Sequence, residues 1–280
     1  MTKESSGVSV GKLCAKVGMS RQNFYKGRAA RGRRDVDSGF VVQLVKRERK
    51  LQPRLGVRKL HYIIDAELQQ AGVEVGRDRM FEILRSRDML VKALPKSPRT
   101  TNSRHTLPVF RNLILGVEPK APDQIWVSDL TYIRTEEGFE YLSLIMDLHS
   151  RKVVGFHCGD DLSTVGCLKA LDQALAGLAE GRTPIHHSDR GCQYCSHDYI
   201  NRSKERGLIQ SMTEENHCAE NATAERLNGI LKQEYGLGRT FRTKAQARAA
   251  VVQAVWLYNN RRPHTMLQMK TPAEVHKQAA

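Results

Sequence analysis

Residues 125–133 read IWVSDLTYI, and the fold is decided by how this stretch is read. It is rich in β-branched and aromatic residues and has the alternation of a strand. A single carboxylate, Asp129, stands inside it among apolar and small neighbours. Two further apolar runs follow at once, FEYLSLIMDLHS at 139–150 and KVVGFHC at 152–158. Gly138 separates the first pair and His149-Ser150-Arg151 the second. Three strands so closely spaced predict an antiparallel meander.

Toward the C-terminus, residues 163–178 predict a helix with Leu168, Leu171, Ala174, Leu175 and Leu178 along one face. TPIHHSD at 183–189 reads as a short strand running into Asp189. A helix over 196–206, a short strand in LIQSM at 208–212, and long helices over 219–235 and 243–260 complete the pattern. Three strands, helix, strand, helix, strand, helix is the order of a ribonuclease H-like α/β domain. The expectation is a mixed five-stranded sheet with helices, over residues 124–280 with the C-terminal helices included.

Toward the N-terminus the charge changes. Residues 1–104 hold 24 Lys and Arg against 10 Asp and Glu, whereas 105–280 hold 21 against 20. Nearly all of the formal +15 therefore sits in the first third, as in a polyanion-gripping module joined to a near-neutral body. Leu13, Val17 and Phe24 fall at helical spacing around Gly18-Met19-Ser20, and Ser20 can cap a second helix that opens on Arg21, Gln22 and Asn23. That is helix-turn-helix order, with Arg21 as a DNA contact; the alternative is a plain helical hairpin. GRAARGRRDVDSG at 27–39 reads as a Gly- and Arg-rich linker, and a helix over 40–52 should stop at Pro53. Leu60, Ile63, Ile64 and Leu68, then Met80, Ile83 and Leu84, predict two more amphipathic helices. The expected organisation is a basic helix-turn-helix-like segment at 1–50, a helical module at 51–92 and a linker at 93–123; these small all-α modules precede the core.

Three acids carry the chemistry. Asp129 lies on the first strand, Asp189 just past the fourth, where ligands gather in open α/β sheets, and Glu225 in the helix NATAERLNGILKQE. Singly, each reads as a cap, turn or ion-pair residue. Together they can hold hard divalent ions about 4 Å apart for phosphoryl transfer. Lys232 follows Glu225 by seven positions, two helical turns, and so shares its side where a phosphate backbone would lie. Glu220 falls before the helix, with Asn221 as a candidate cap, and Glu234 is roughly 180° round from Glu225. Asp147 is the candidate fourth acid of a ribonuclease H enzyme. LYNNRRPHTML at 257–267 offers Arg261, Arg262 and His264 after a helix that Pro263 ends. They read as phosphate contacts or as partners of the helix dipole.

WVSDLTYI, HHSDRGCQY, NATAERLNGILKQEY and YNNRRPHTML, in that order over residues 124–267, resemble the signature blocks of the second reading-frame product of the IS-three insertion-sequence family. This family belongs to the retroviral-integrase-like DDE recombinases. Residues 55–92 resemble the helical module that precedes its integrase core. The resemblance implies an integrase catalytic core and a transposase with Asp129, Asp189 and Glu225 as catalytic and metal-binding residues. It implies Mg²⁺ or Mn²⁺, two ions, and Lys232 and Arg190 on DNA. It also implies cleavage of terminal inverted repeats and strand transfer into target DNA without a covalent protein–DNA intermediate; because joining needs two ends held together, a homo-oligomer on DNA is expected. Families of this kind often fuse an upstream reading-frame product, which would carry sequence-specific end recognition. Cys192 and Cys195 depart from the blocks, which commonly carry small polar residues there.

Other readings are a catalytically inactive DNA-binding regulator and a ribonuclease H-type nuclease, separated by metal-dependent nicking and by strand transfer. The C-x-x-C of Cys192 and Cys195 lacks a second pair at matching spacing, so small thiols are the better reading than structural zinc. The first 20 residues hold no long apolar run, and no stretch approaches the ~20 residues of a membrane span. A cytoplasmic, nucleoid-associated protein with reduced thiols is expected.

Overall fold

The computed structural model describes residues 9–92, 106–214 and 220–278, with Arg31 and Arg33 by backbone alone. Residues 1–8 of the N-terminal segment, 93–105 of the expected linker and Cys218 lie outside the described residues.

Strand β1 (Ile125–Thr135) turns back through Gly138, at φ 109°, into β2 (Gly138–Asp147), pairing from Thr135 with Gly138 to Trp126 with Asp147. Strand β3 (Val153–Gly159) extends the meander antiparallel. Strands β4 (Ile185–Ser188) and β5 (Ile209–Met212) join the other edge of β1 in parallel. The order β3-β2-β1-β4-β5 is the mixed five-stranded, ribonuclease H-like sheet that the sequence predicts.

Both faces of this sheet are covered, which is why its central strands read as apolar runs. On one face Trp126 and Ile145 pack with Ala170, Leu171 and Leu175 of helix α5 (Thr164–Ala176) and with Tyr199 of α6 (His197–Glu205). On the other, Val127, Leu142, Leu144 and Met146 pack with Leu227 and Leu231 of α7 (Ala222–Glu234) and Val251 and Val255 of α8 (Lys244–Asn260). Alternation along β1 sends even residues toward α5 and odd residues toward α7. Gly155 marks how closely α5 approaches β3: a Cβ there would lie 2.1 Å from the Ala170 carbonyl oxygen.

Helix α1 (Val10–Lys16), a turn with Gly18 at φ 67°, and helix α2, capped by Ser20 Oγ on the Asn23 amide, follow the expected helix-turn-helix order. Helix α2 (Arg21–Leu51) corrects the reading of 27–39 as a linker, because it runs unbroken for 31 residues. Gly27, Gly32 and Gly39 each cost an exposed helix about 1 kcal/mol, too little to break one rich in Arg and Ala and anchored at its far end. The anchor is Val41, Leu44 and Val45, buried against Leu60, Ile64 and Leu68 of α3 (Val57–Gln70) and Met80, Ile83 and Leu84 of α4 (Arg77–Ser86). The boundary expected at residues 50 and 51 is also corrected. It would cut α2 at its last residue and strip this core of one wall.

Residues 106–123 are not a free linker either. Leu107 and Phe110 pack on the core. The Leu113 amide donates to Ser211 Oγ (2.9 Å) and the Asn112 amide to a Glu214 carboxylate oxygen (2.9 Å). After α8, a 3-10 turn (Thr265–Leu267) and helix α9 (Pro272–Gln278) close the chain against the sheet. No described helix is long and apolar enough to cross a membrane.

Candidate active site

Strand register brings two of the three acids together. Strands β1 and β4 pair Ile125 with Ile185, Trp126 with His186 and Val127 with His187. The ladder ends at Val127 with His187, and the same offset carried on points Asp189 toward Asp129, whose carboxyl feels the Asp189 charge. Strand β4 stops at Ser188, so Asp189 begins the loop that turns away there. The Asp189 Oδ1 accepts the Gly191 amide (3.0 Å), while Arg190 Nε donates to the Thr213 carbonyl (2.6 Å) and ties this loop to the end of β5.

Helix α7 brings the third. Asn228 Nδ2 donates to Asp129 Oδ2 (2.7 Å), and Lys232 Nζ donates to Thr131 Oγ1 (2.6 Å). Four helical residues rise about 6 Å and two strand residues about 6.6 Å, so helix and strand stay in step across both contacts. Glu225 lies one turn before Asn228 on the same face and is exposed. Asn221, at the start of α7, donates from Nδ2 to the Ser128 carbonyl (3.0 Å) instead of capping the helix.

Burial first, then the charge of Asp189 and more weakly that of Glu225, pushes Asp129 up from 3.8 to about 7, against the hydrogen bond from Asn228. The cluster thus lacks positive charge. Lys232 compensates in part: it sits 4.7 Å over the Tyr132 ring, its pKa lowered by burial and partly restored by Asp129. The buried Oδ1 of Asn228, beside Asp129, has no hydrogen-bond partner. Asp129, Asp189, Glu225 and the Asn228 amide oxygen offer oxygen donors alone, the kind a hard divalent cation takes, but among the described residues the three acid or His ligand atoms that lie within 4.8 Å of one another are those of Asp123, Asp147 and His276.

Beneath the acids, His186 Nε2 lies 2.7 Å from Ser128 Oγ and 3.0 Å from Tyr199 Oη. Burial pulls His186 down to about 3 and His187 to about 4, so both are neutral supports at neutral pH.

Four sequence expectations are corrected here. Arg262 is buried and forks onto Glu234 (2.7 and 2.9 Å), which Lys59 also meets (3.0 Å). Arg261 forks onto the buried Glu48 of α2 (3.0 and 2.6 Å). His264 lies 3.1 Å from Tyr258 Oη and is pulled by burial to about 3, so it offers a phosphate no charge. Arg261 thus ties α2 to the core directly and Arg262 ties α3 to it through Glu234 and Lys59, while His264 stays within the core on Tyr258. Asp147 is not a fourth acid of the site. It pairs with Trp126, on the far side of Asp129 along the sheet, and its oxygens accept from Ser150 Oγ and from the Ser150 and Asp123 amides. With Asp123 and His276 it forms a separate cluster that fastens α9 to the end of β2. Arg21 is exposed at the first position of α2. Sequence reasoning missed Asn228 and Thr131; the signal for Asn228 was its place three residues after Glu225 and four before Lys232.

Two family profiles described as "Integrase core domain" match residues 119–218 and 206–272. The chain is 33% identical over 276 residues to the "Insertion element IS600 uncharacterized 31 kDa protein" of Shigella sonnei, covering 96% of this chain and 100% of that one. It is 31% identical over 277 residues to the "Transposase for insertion sequence element IS629" of the same organism, covering 96% and 91%. Among solved structures it is similar to the HTLV-2 integrase catalytic core domain in complex with magnesium, at 19% identity and TM-score 0.46, over 57% of this chain and 99% of that one.

Proposed function

The chain belongs to the IS-three family of insertion-sequence transposases, and on that premise we propose that it cuts and joins DNA at a site made of Asp129, Asp189 and Glu225. The enzyme class is polynucleotidyl transferase, dependent on a divalent metal. The observation that supports the site best is the seating of α7 on β1, with Asn228 on Asp129 and Lys232 on Thr131, which carries Glu225 toward Asp129 and Asp189.

In this reading the three carboxylates hold two ions, Mg²⁺ or Mn²⁺. Bound there, such ions activate an attacking hydroxyl and offset charge on the phosphorus oxygens. The chain's own residues do the positioning. Asn228 fixes the rotamer of Asp129 through Oδ2. The Gly191 amide does the same for Asp189. Lys232 supplies a fixed cation beside Asp129 for a phosphate of the backbone. No serine, cysteine or tyrosine nucleophile is invoked, because in-line displacement by water or a DNA 3′-hydroxyl needs alignment and charge compensation. Arg190 and Arg21 are proposed as further DNA contacts, and terminal inverted repeats and target DNA as the substrates. An upstream reading-frame product is proposed as a partner for end recognition; adding it should sharpen the preference for element ends, and unchanged preference would remove it.

The test is cleavage and joining of a labelled duplex carrying the element's own ends, in Mg²⁺, by the native chain and by Glu225→Gln. Glu225 is exposed, so the variant should fold within about 0.5 kcal/mol of native. Native activity should fall by at least about 10²–10³-fold with DNA binding kept. Equal activity in both would remove Glu225 from the site.

A further inference from the structure

We propose that the cleft beside Asp189 receives an unstacked nucleobase, from a nucleotide adjoining the phosphate that the carboxylates hold. This rests on the reading of the site as one that cuts DNA.

The cleft has a volume of about 450 Å³, within the range of small-molecule sites. It exists because β1 outruns its neighbour: β4 ends at Ser188, while β1 continues to Thr135. Past that point β1 keeps β2 on one side and meets on the other only the Phe241 backbone, at Arg134 and Thr135. The floor is aromatic, with Tyr132 opposite Tyr141 and Arg134 opposite Phe139, and one face of the Tyr132 ring is taken by Lys232 (4.7 Å). Tyr132 and Phe139 meet edge to face, at 5.4 Å and 87°. The far wall is Leu162 and the loop after Asp189, joined by Gln193 Nε2 on the Leu162 carbonyl (2.9 Å).

Two features point to a base. First, Phe139 and Leu162 are 48% and 47% exposed, so the cleft keeps apolar rims in water, as binding sites do. Second, Asp189 belongs both to the cleft and to the acid cluster. A phosphate held by the acids therefore has its next nucleotide at the mouth. Phosphate and sugar gain nothing from an aromatic floor, whereas every base has a π-face that stacks on one. Arg134, exposed at the open end, suits the phosphate that follows. A base must leave the duplex stack to enter, and aromatic contact offsets that cost.

The test uses Glu225→Gln chain in Mg²⁺, so that DNA stays whole, with the element-end duplex carrying 2-aminopurine at each position flanking the scissile phosphate in turn. One position should brighten on binding, and adding Phe139→Ala, an exposed change, should abolish the rise while DNA remains bound. In cleavage by the otherwise native chain, Phe139→Ala should slow the intact duplex about tenfold, the value of one lost stacking contact. It should not slow a duplex that is abasic at the bright position, where no base need enter. No brightening at any position with DNA bound overturns the proposal, as does equal slowing on intact and abasic duplexes. Native cleavage without brightening sinks the cleft alone. A native chain that never cuts sinks the function, while the fluorescence still reports on the cleft.

Discussion

Replacing Asp129 by Asn should stabilise the metal-free protein above pH 7 while ending its activity. Asp129 is raised from 3.8 to about 7, so between those values the folded chain holds a proton that the unfolded chain has released. Stability therefore falls as pH rises from about 4 to about 7 and is level beyond. The full shift corresponds to at most about 4 kcal/mol. Asn is nearly isosteric and uncharged, so it escapes this penalty. It has one acceptor oxygen where the carboxylate has two, for Asn228 Nδ2 and the Leu130 amide, a loss of about 1–2 kcal/mol. The expected net gain is about 2–3 kcal/mol, on the order of 5 °C in Tm for a chain of this size. Thermal unfolding of both proteins between pH 4 and pH 9, in EDTA and in Mg²⁺, measures it. The native Tm should drop through pH 4–7 in EDTA and recover in Mg²⁺, while the variant stays flat and indifferent to the ion. A variant less stable than native at pH 8 in EDTA would refute the electrostatic account, as would a native Tm that ignores Mg²⁺.

Salt titration of DNA binding separates the cations that face DNA from those that hold the fold. Lys232→Ala should weaken binding to all sequences alike and lower the salt slope by about one. Arg262→Ala should leave the slope unchanged and instead destabilise the chain by about 1–3 kcal/mol, because Glu234 loses its fork and keeps only Lys59. The reverse pattern would restore Arg262 as a phosphate contact. Joining requires two ends held together, so the chain should be at least dimeric on paired ends; a monomer by light scattering would count against the joining reaction.

The placement of the proposed acids on strand, loop and helix was legible because such acids announce themselves locally. Asp129 interrupts an apolar strand, and Asp189 precedes a Gly turn. Their partners were harder. An Asn inside a helix reads as a surface residue, and Asn228 gains meaning only when α7 lies in step with β1. Arg261 and Arg262 were misread because their acids are remote. Glu48 lies 213 residues away in sequence and Glu234 28. Two arginines between a helix end and Pro263 give no hint of either. The long helix α2 was broken in the reading at its glycines, since the burial that holds it straight is supplied by α3 and α4.

The forks of Arg261 on Glu48 and Arg262 on Glu234, with Lys59 joining the second, tie α2 and α3 to the catalytic domain. The protein thereby carries a ruler. Helix α2 is 31 residues, about 46 Å, the length of roughly 13 or 14 base pairs of B-form DNA. If its Arg21 end rests on DNA, the separation between that contact and the cut is written in the length of the helix. The place of the cut would then be measured from the bound end as well as read from the bases around it.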